Sequence, residues 1–278
     1  MTEDLRELRE IFLKKPPVTL ANPPPPHSRL LPLFQRGLKN KNMRPSKRKF
    51  DQIREVTITP NVSKYAEGSC LIKFGDTHVL CTATIEEKVP PFLRNKGTGW
   101  VTAEYSMLAR STHTRNSRDP SKPNGRSIEI QRLIGRALRS AVDTRLLGER
   151  QIIIDCDVIQ ADGGTRCAAI TGGYVALAIA VNKLVNQRIL RESPLTGNIC
   201  AVSCGIFQGE VVADLDYLED SKCETDSNFV INKDFNLIEV QGTAEVGSMS
   251  FEQLSKMYDL AKKAASEIFE IQKKAIHG

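Results

Sequence analysis

Residues 151–160 read QIIIDCDVIQ, residues 161–166 read ADGGTR, and residues 168–186 read AAITGGYVALAIAVNKLVN. The first run is rich in β-branched residues and predicts a strand over 151–159. The third run is apolar over a helical length and predicts a buried helix from Ala168 to Asn186. The glycine pair between them predicts a tight turn at the start of that helix. This strand–turn–helix unit indicates a protein that combines α and β structure.

The flanking sequence extends the pattern in both directions. Alternating and β-branched runs predict further strands, and they cover 56–59, 69–74, 78–85, 100–105, 199–207, 210–217, 228–232 and 237–241. Apolar residues at helical spacing predict one helix over 130–142, and a capping pair at Ser250 and Gln253 predicts another that ends near Lys274. Residues 106–126 are predicted to form a loop. The order of elements predicts an α/β or α+β fold, with helices packed against mixed sheets in one domain over 43–278.

The first 42 residues differ from the rest. They contain eight Lys and Arg, four Asp and Glu, and seven of the 14 prolines. Such a composition favours extended, unpacked chain. We therefore expect a disordered basic segment without a secretory signal, which is either a dispensable extension or an artefact of start-site choice.

The net charge, the cysteines and the lengths of the apolar runs indicate which class of protein this is. The net charge is +6, of which residues 1–42 supply 8 − 4 = +4, so the remaining chain is only weakly basic. Seven cysteines without a Cys-x-x-Cys pair argue against a zinc site and predict reduced, buried thiols in a cytoplasmic protein. No apolar run reaches the roughly 18 residues that a membrane helix needs.

The turn from Asp162 to Arg166, called here the phosphate loop, is a candidate anion site. Glycines let the backbone approach an anion, and the first N–H groups of a helix point towards it. Thr165 adds a hydroxyl and Arg166 a planar cation that matches phosphate oxygens. Arg126, in a second Gly-Arg pair before the first helix, would clamp the same anion. The alternative is a tight turn with a solvated arginine.

Four carboxylates lie close together from Asp214 to Asp220, called here the acidic segment. They repel one another, and a hard cation such as Mg²⁺ would relieve the repulsion through oxygen ligands. Asp216 and Glu219 are expected to serve a structural role. The alternative is a solvated acidic turn without a ligand.

A third stretch, residues 110–118, is called here the arginine loop. It contains Arg110, Arg115 and Arg118 together with His113 and several small polar residues. Spaced arginines suit contacts with a nucleic-acid backbone. The alternative is an ordinary basic surface loop.

Several motifs of the chain, in this order, resemble those of the ribonuclease PH family, which includes polynucleotide phosphorylase and the ring subunits of exosomes. The matching stretches begin at Met43 and cover about 235 residues; they are MRPS at 43–46, YAEGS at 65–69, FGDT at 74–77, GWVTAEY at 99–105, STHTRN at 111–116, DCDV at 155–158, QADGGTR at 160–166, DLDYLED at 214–220 and VQGTAE at 240–245.

The resemblance implies a phosphate-dependent 3′→5′ exoribonuclease that removes nucleotides from tRNA precursors as diphosphates, in a reversible reaction. It assigns roles to three groups of residues: inorganic phosphate to Arg126, Gly164, Thr165 and Arg166; catalysis, through Mg²⁺, to Asp214 and Asp220; tRNA to Arg110, Arg115 and Arg118. It also implies a homohexamer built as a trimer of dimers. Two alternatives are a non-catalytic RNA-binding subunit of an exosome-like ring and a hydrolytic nuclease.

Overall fold

A computed structural model describes residues 44–117 and 125–278. The predicted extension over residues 1–42, together with Arg118, lies outside the described residues. Its disorder and its dispensability therefore stay predictions.

The first half of the described chain forms a five-stranded sheet. Its strands are Val56–Pro60 (β1), Gly68–Phe74 (β2), Thr77–Glu86 (β3), Trp100–Met107 (β4) and Gln151–Gln160 (β5). Their order is β1-β2-β3-β5-β4, and only the β4–β5 pair is parallel. The predicted hairpin across Gly75 is confirmed, and the sheet is mixed, as expected.

The second half forms a four-stranded antiparallel sheet. Its strands are Ile199–Phe207 (β6), Glu210–Ala213 (β7), Thr225–Asn232 (β8) and Leu237–Ala244 (β9), in the order β7-β6-β8-β9. The predicted strand over 210–217 is too long, because β7 ends at Ala213. Asp214 has a left-handed backbone (φ 54°), which a continuing strand does not tolerate.

The helices lie at Gly125–Ser140 (α1), Thr144–Leu147 (α2), Thr165–Asn186 (α3), Tyr217–Asp220 (α4) and Phe251–His277 (α5). The predicted capping box of α5 is present, since Ser250 and Gln253 each accept the other's backbone N–H. Helix α1 begins within the segment predicted to be a loop, and α3 begins three residues before the predicted start.

Helix α3 joins the two halves in one hydrophobic core. It packs against β2 and β3 of the first sheet and β6 of the second, while α5 packs against β6 and β7. Its length and composition would suit a membrane span, but 78% of its most apolar window is buried inside the fold, as in a core helix. The α+β class is confirmed, and α3 brings the ends of β5 and β7 into one region.

Candidate functional site

The phosphate loop connects the end of β5 to the first turn of α3. Gly163 (φ 76°) and Gly164 (φ 66°) both adopt left-handed backbone, which glycine accepts without steric cost. A Cβ on Gly163 would lie 2.7 Å from the carbonyl oxygen of Leu215. Glycine at this position therefore lets the phosphate loop press directly against the acidic segment.

The side chains at the start of α3 are oriented by neighbouring strands. The Tyr105 hydroxyl of β4 donates a hydrogen bond to Thr165 Oγ1 at 2.9 Å. Burial raises the pKa of Tyr105, so the phenol stays protonated. Arg166 Nη1 donates to Gln241 Oε1 of β9 at 2.7 Å and lies 3.8 Å from Glu129 Oε1 of α1. Both candidate phosphate ligands are thus held in defined positions.

A cavity of about 530 Å³ opens beside the phosphate loop. Five of the predicted site residues line it together: Arg126, Gly164, Thr165, Arg166 and Asp220. Arg126 comes from the first turn of α1, and Asp220 from the end of α4. Chain segments almost 100 residues apart therefore meet around one volume large enough for a phosphate and a nucleotide end.

Asp226 of β8 is a second carboxylate in the cavity wall. It accepts a hydrogen bond from Asn228 Nδ2 at 3.1 Å. Removal from water and the charge of Asp226 raise the pKa of Asp220, against the lowering effect of Arg126 and Arg166. The pKa of Asp226 is likewise raised by burial, against the same arginines. The cavity thus pairs two cations with two carboxylates.

Asp214 lies outside that cavity wall and is almost fully buried. Arg54 donates to it three times: from the backbone N to Oδ2 at 2.7 Å, from Nε to Oδ2 at 3.0 Å, and from Nη2 to Oδ1 at 2.7 Å. Arg48 Nη1 also donates to Oδ2, at 3.1 Å. Burial alone would raise the pKa of Asp214, but Arg54 and then Arg48 hold it below its ordinary value. With both oxygens occupied by arginines, the contacts of Asp214 do not fit a direct Mg²⁺ ligand.

The other two carboxylates of the acidic segment have structural partners. Asp216 caps α4 by accepting the Glu219 backbone N–H at 3.1 Å. Glu219 pairs with the buried guanidinium of Arg44, from Nε at 2.7 Å and from Nη2 at 2.6 Å. The expected structural role of Asp216 and Glu219 fits these contacts. Much of the charge in the acidic segment is thus neutralised by arginines, where the sequence alone suggested Mg²⁺.

The arginine loop lies beside the same cavity. His113 lines it, and the His113 ring contacts the Tyr217 ring with centroids 5.7 Å apart. Asn116 braces the loop by donating to Leu108 O at 3.2 Å. Arg110 and Arg115 are exposed and do not line the cavity. Arg118 lies outside the described residues, so RNA binding by the three arginines stays a prediction.

Sequence reasoning missed two groups of residues at this site. Asp226 and Asn228 alternate on β8, and their period of two was a signal that both face one side. Arg44, Arg48 and Arg54 lie more than 150 residues before their carboxylate partners in the acidic segment. No spacing rule connects such distant positions, so only the folded structure reveals these pairs.

Comparison with known proteins identifies the family of this chain. The two domain profiles of the 3′ exoribonuclease family match residues 52–182 and 197–264. Ribonuclease PH of Cereibacter sphaeroides is 58% identical over 236 residues, which is 84% of this chain and all of the relative. Ribonuclease PH of Caulobacter vibrioides is 55% identical over 238 residues, which is 85% of this chain and all of the relative.

Solved structures share the fold at lower identity. An Archaeoglobus fulgidus exosome with RNA bound to the active site aligns with a TM-score of 0.70 at 24% identity, over 83% of this chain and 92% of that one. Rice Rrp46 aligns with a TM-score of 0.71 at 19% identity, over 84% of this chain and all of that one. These two likenesses support the fold alone. On the profile matches and the sequence identity, this chain belongs to the ribonuclease PH family of 3′ exoribonucleases.

Proposed function

We propose that the cavity beside the phosphate loop is where inorganic phosphate attacks the last phosphodiester bond of an RNA 3′ end. Membership of the ribonuclease PH family makes the protein a phosphorolytic 3′-exoribonuclease, a nucleotidyltransferase-type activity. One observation supports this cavity as the active site. Arg126, Thr165 and Arg166 meet there at the start of α3, with Asp220 in the same wall. That combination suits two phosphate groups that react with each other.

In the proposed reaction, a phosphate oxygen forms a bond to the phosphorus of the terminal nucleotide. The bond from that phosphorus to the 3′ oxygen of the preceding nucleotide breaks, and the 3′ oxygen takes up the proton that the attacking hydrogen phosphate loses. The products are a nucleoside diphosphate and an RNA one nucleotide shorter. Because the diphosphate keeps an anhydride bond, the reaction is reversible. Arg126 and Arg166 neutralise the two reacting phosphate groups and hold them in line.

Mg²⁺ fits the cavity better at Asp220 than at Asp214. Among the described residues, no group of three or more His, Cys, Asp or Glu side chains is arranged to hold a metal. Mg²⁺ commonly uses one or two carboxylates and completes its shell with substrate phosphates and water. Asp220, with Asp226 nearby, would supply that protein share. A bound ion would neutralise charge on the transferring phosphoryl group.

The substrate and the assembly are proposed by analogy with the family, and the exposed Arg110 and Arg115 support the RNA contact. The proposed substrates are tRNA precursors and other RNA 3′ ends, with Arg110, Arg115 and Arg118 on the backbone of the RNA. The proposed assembly is a homohexamer, arranged as a trimer of dimers. A cytoplasmic location fits the seven cysteines, all of which are buried and free of disulfides.

Product analysis tests the proposed reaction directly. RNA labelled at its 3′-terminal nucleotide is incubated with the protein and Mg²⁺, with and without phosphate. Labelled nucleoside diphosphate that forms only with phosphate is the expected result. Labelled monophosphate without phosphate would mean hydrolysis. RNA binding without any product would mean a non-catalytic ring subunit, and either outcome would overturn the proposal.

A further inference from the structure

The guanidinium of Arg54 contacts both the phosphate loop and the acidic segment. Arg54 lies just before β1 and is only 8% exposed. Towards the acidic segment, it makes the three hydrogen bonds to Asp214 described above, and Nη2 also donates to Leu215 O at 3.3 Å. These contacts fix both the side chain of Asp214 and the backbone that follows it.

The same guanidinium also donates hydrogen bonds to the phosphate loop. Arg54 Nη1 donates to Asp162 O at 2.5 Å, and Nη2 donates to Gly163 O at 3.4 Å. A Cβ on Gly164 would lie 3.0 Å from Nη2, which shows how closely the loop rests on this side chain. Arg54 thus contacts the three residues that precede Thr165, the first residue of α3.

Thr77 reinforces the contact from β3. Its hydroxyl donates to Gly163 O at 2.6 Å, and it accepts hydrogen bonds from the Asp162 N–H at 2.9 Å and from Arg54 Nη1 at 3.3 Å. Thr77 is fully buried. The phosphate loop is therefore held by Arg54 and Thr77 together.

Asp214 is the ion-pair partner of Arg54, and both of its carboxylate oxygens already accept hydrogen bonds. Its left-handed backbone (φ 54°) is an unfavourable conformation for a residue with a side chain, although aspartate tolerates it better than most. The four donors on its carboxylate hold it in that conformation. A metal ion at Asp214 would have to displace arginine hydrogen bonds that are themselves buried.

We infer that Arg54 is the positioning residue that fixes the phosphate loop against the acidic segment, and that Asp214 serves the reaction by holding Arg54 and not by binding Mg²⁺. This inference rests on the proposed function of the cavity. Only arginine supplies donors in several directions at once, whereas lysine offers a single point of charge. Loss of either partner lets the phosphate loop and Asp220 shift relative to each other.

The test compares Arg54→Lys with Arg150→Lys as a control. Arg150 pairs with Glu87 and donates to Leu147 O, and it has no described contact with Asp214 or with the phosphate loop. Arg54→Lys should weaken phosphate binding by the free enzyme, measured by calorimetry, on the order of 10- to 100-fold. Arg150→Lys should leave phosphate binding close to the wild-type value. Equal phosphate affinities in the two variants would overturn the inference.

Asp214→Asn and its combination with Arg54→Lys test the shared role. We expect the double variant to bind phosphate no more weakly than whichever single variant binds it less tightly. Both substitutions remove the same contact between Arg54 and Asp214, so their effects should not add. The Mg²⁺ concentration that gives half-maximal activity should stay at the wild-type value in Asp214→Asn. A many-fold rise in that concentration, with unchanged phosphate affinity, would make Asp214 a metal ligand and refute the inference.

Thr77→Val keeps the test decisive if the arginine variants do not fold. It preserves the Arg54–Asp214 ion pair and removes the hydroxyl that bonds to the phosphate loop and to Arg54 Nη1. It should weaken phosphate binding in the same direction as Arg54→Lys, and unchanged binding would count against a held loop. Failure of the proposed function has a different signature, since the wild-type enzyme itself would then form no diphosphate.

Discussion

The two ends of the acidic segment have the same chemistry and opposite surroundings. Asp214 is buried, and arginines hold its pKa below the ordinary value. Asp220, six residues later, lies in the cavity wall, and removal from water together with Asp226 raises its pKa. One aspartate therefore stabilises the fold through its charge, whereas the other carries its charge at some cost to the fold.

Within these seven residues, Asp214 therefore has the surroundings of a structural residue and Asp220 those of a residue that takes part in the chemistry. A group whose ionised form is disfavoured in the folded state is a candidate for binding a cation or moving a proton. A group whose charge is fully compensated by buried arginines is a candidate for positioning. Substitutions at these positions and at their partners test that division.

Asp220→Asn should lower kcat on the order of 100- to 1,000-fold, because the variant lacks the charge that faces the transferring phosphoryl group. RNA binding should remain, since the arginines are unchanged. The measurement is single-turnover release of nucleoside diphosphate, together with an RNA-binding titration. Asp234→Asn, in the exposed turn between β8 and β9, is the control. An active Asp220→Asn enzyme would remove the catalytic role of Asp220.

Glu219→Gln should lower the free energy of unfolding by about 3–5 kcal/mol, because it leaves the buried Arg44 without its counter-charge. Denaturant-induced unfolding measures this change. Glu252→Gln removes an exposed pair with Lys256 on α5 and should leave stability unchanged. Equal stability of the two variants would show that the buried Arg44–Glu219 pair does not stabilise the fold.

Arg126→Ala should raise the KM for phosphate roughly 10- to 100-fold, as expected for the loss of a charge-assisted hydrogen bond of about 1.5–3 kcal/mol. Initial rates at varied phosphate concentration measure it. The control is Arg132→Ala, an exposed arginine of the same helix that does not line the cavity. A normal phosphate KM in Arg126→Ala would remove Arg126 from the phosphate site.

Two further effects concern how the stability of the fold depends on pH. The raised pKa of Asp220 means that its ionised form destabilises the fold at pH 7, and this penalty disappears as the pH falls below the unfolded value of about 3.9. Asp220→Asn should therefore melt slightly higher than wild type at pH 7 in phosphate-free buffer, with a smaller difference near pH 4.

Asp214→Asn should show the opposite sign. The lowered pKa of Asp214 means that its charge stabilises the fold above the unfolded pKa, and that this stability is lost as the pH falls through the folded pKa. The variant should melt lower than wild type at pH 7, and the gap should narrow in acid. Calorimetry at pH 7 and near pH 4 measures the melting temperature of both variants. A shift from wild type of the same sign in both would refute the proposed division.

Much of the fold was predictable from local patterns. The hairpin between β2 and β3, strand β5 and the capped start of α5 depend on alternation, β-branching and capping, which operate between neighbouring residues. The predicted strand over 210–217 failed because alternation cannot reveal a left-handed residue at Asp214. The arrangement in two sheets around α3 also depends on contacts that local periodicity does not contain.

The candidate site was likewise only partly predictable from local patterns in the sequence. Arg126, Thr165, Arg166 and Asp220 were proposed because glycine turns, helix starts and crowded carboxylates are local signals of anion and cation binding. The structure places all four around one cavity, and their roles stay predictions. Asp226 was missed because it is an ordinary position on β8 until the fold places it in the cavity wall.

The amino-acid sequence by itself determined the α+β class, the family and the short segments that form the cavity, because each depends on residues close together in the chain. Only the tertiary structure decided which aspartate faces the cavity and which is held by arginines. The reason is physical: the environment of a carboxylate is set by charges and burial within a few ångströms. For Asp214, that environment comes from Arg48 and Arg54, more than 150 residues away along the chain.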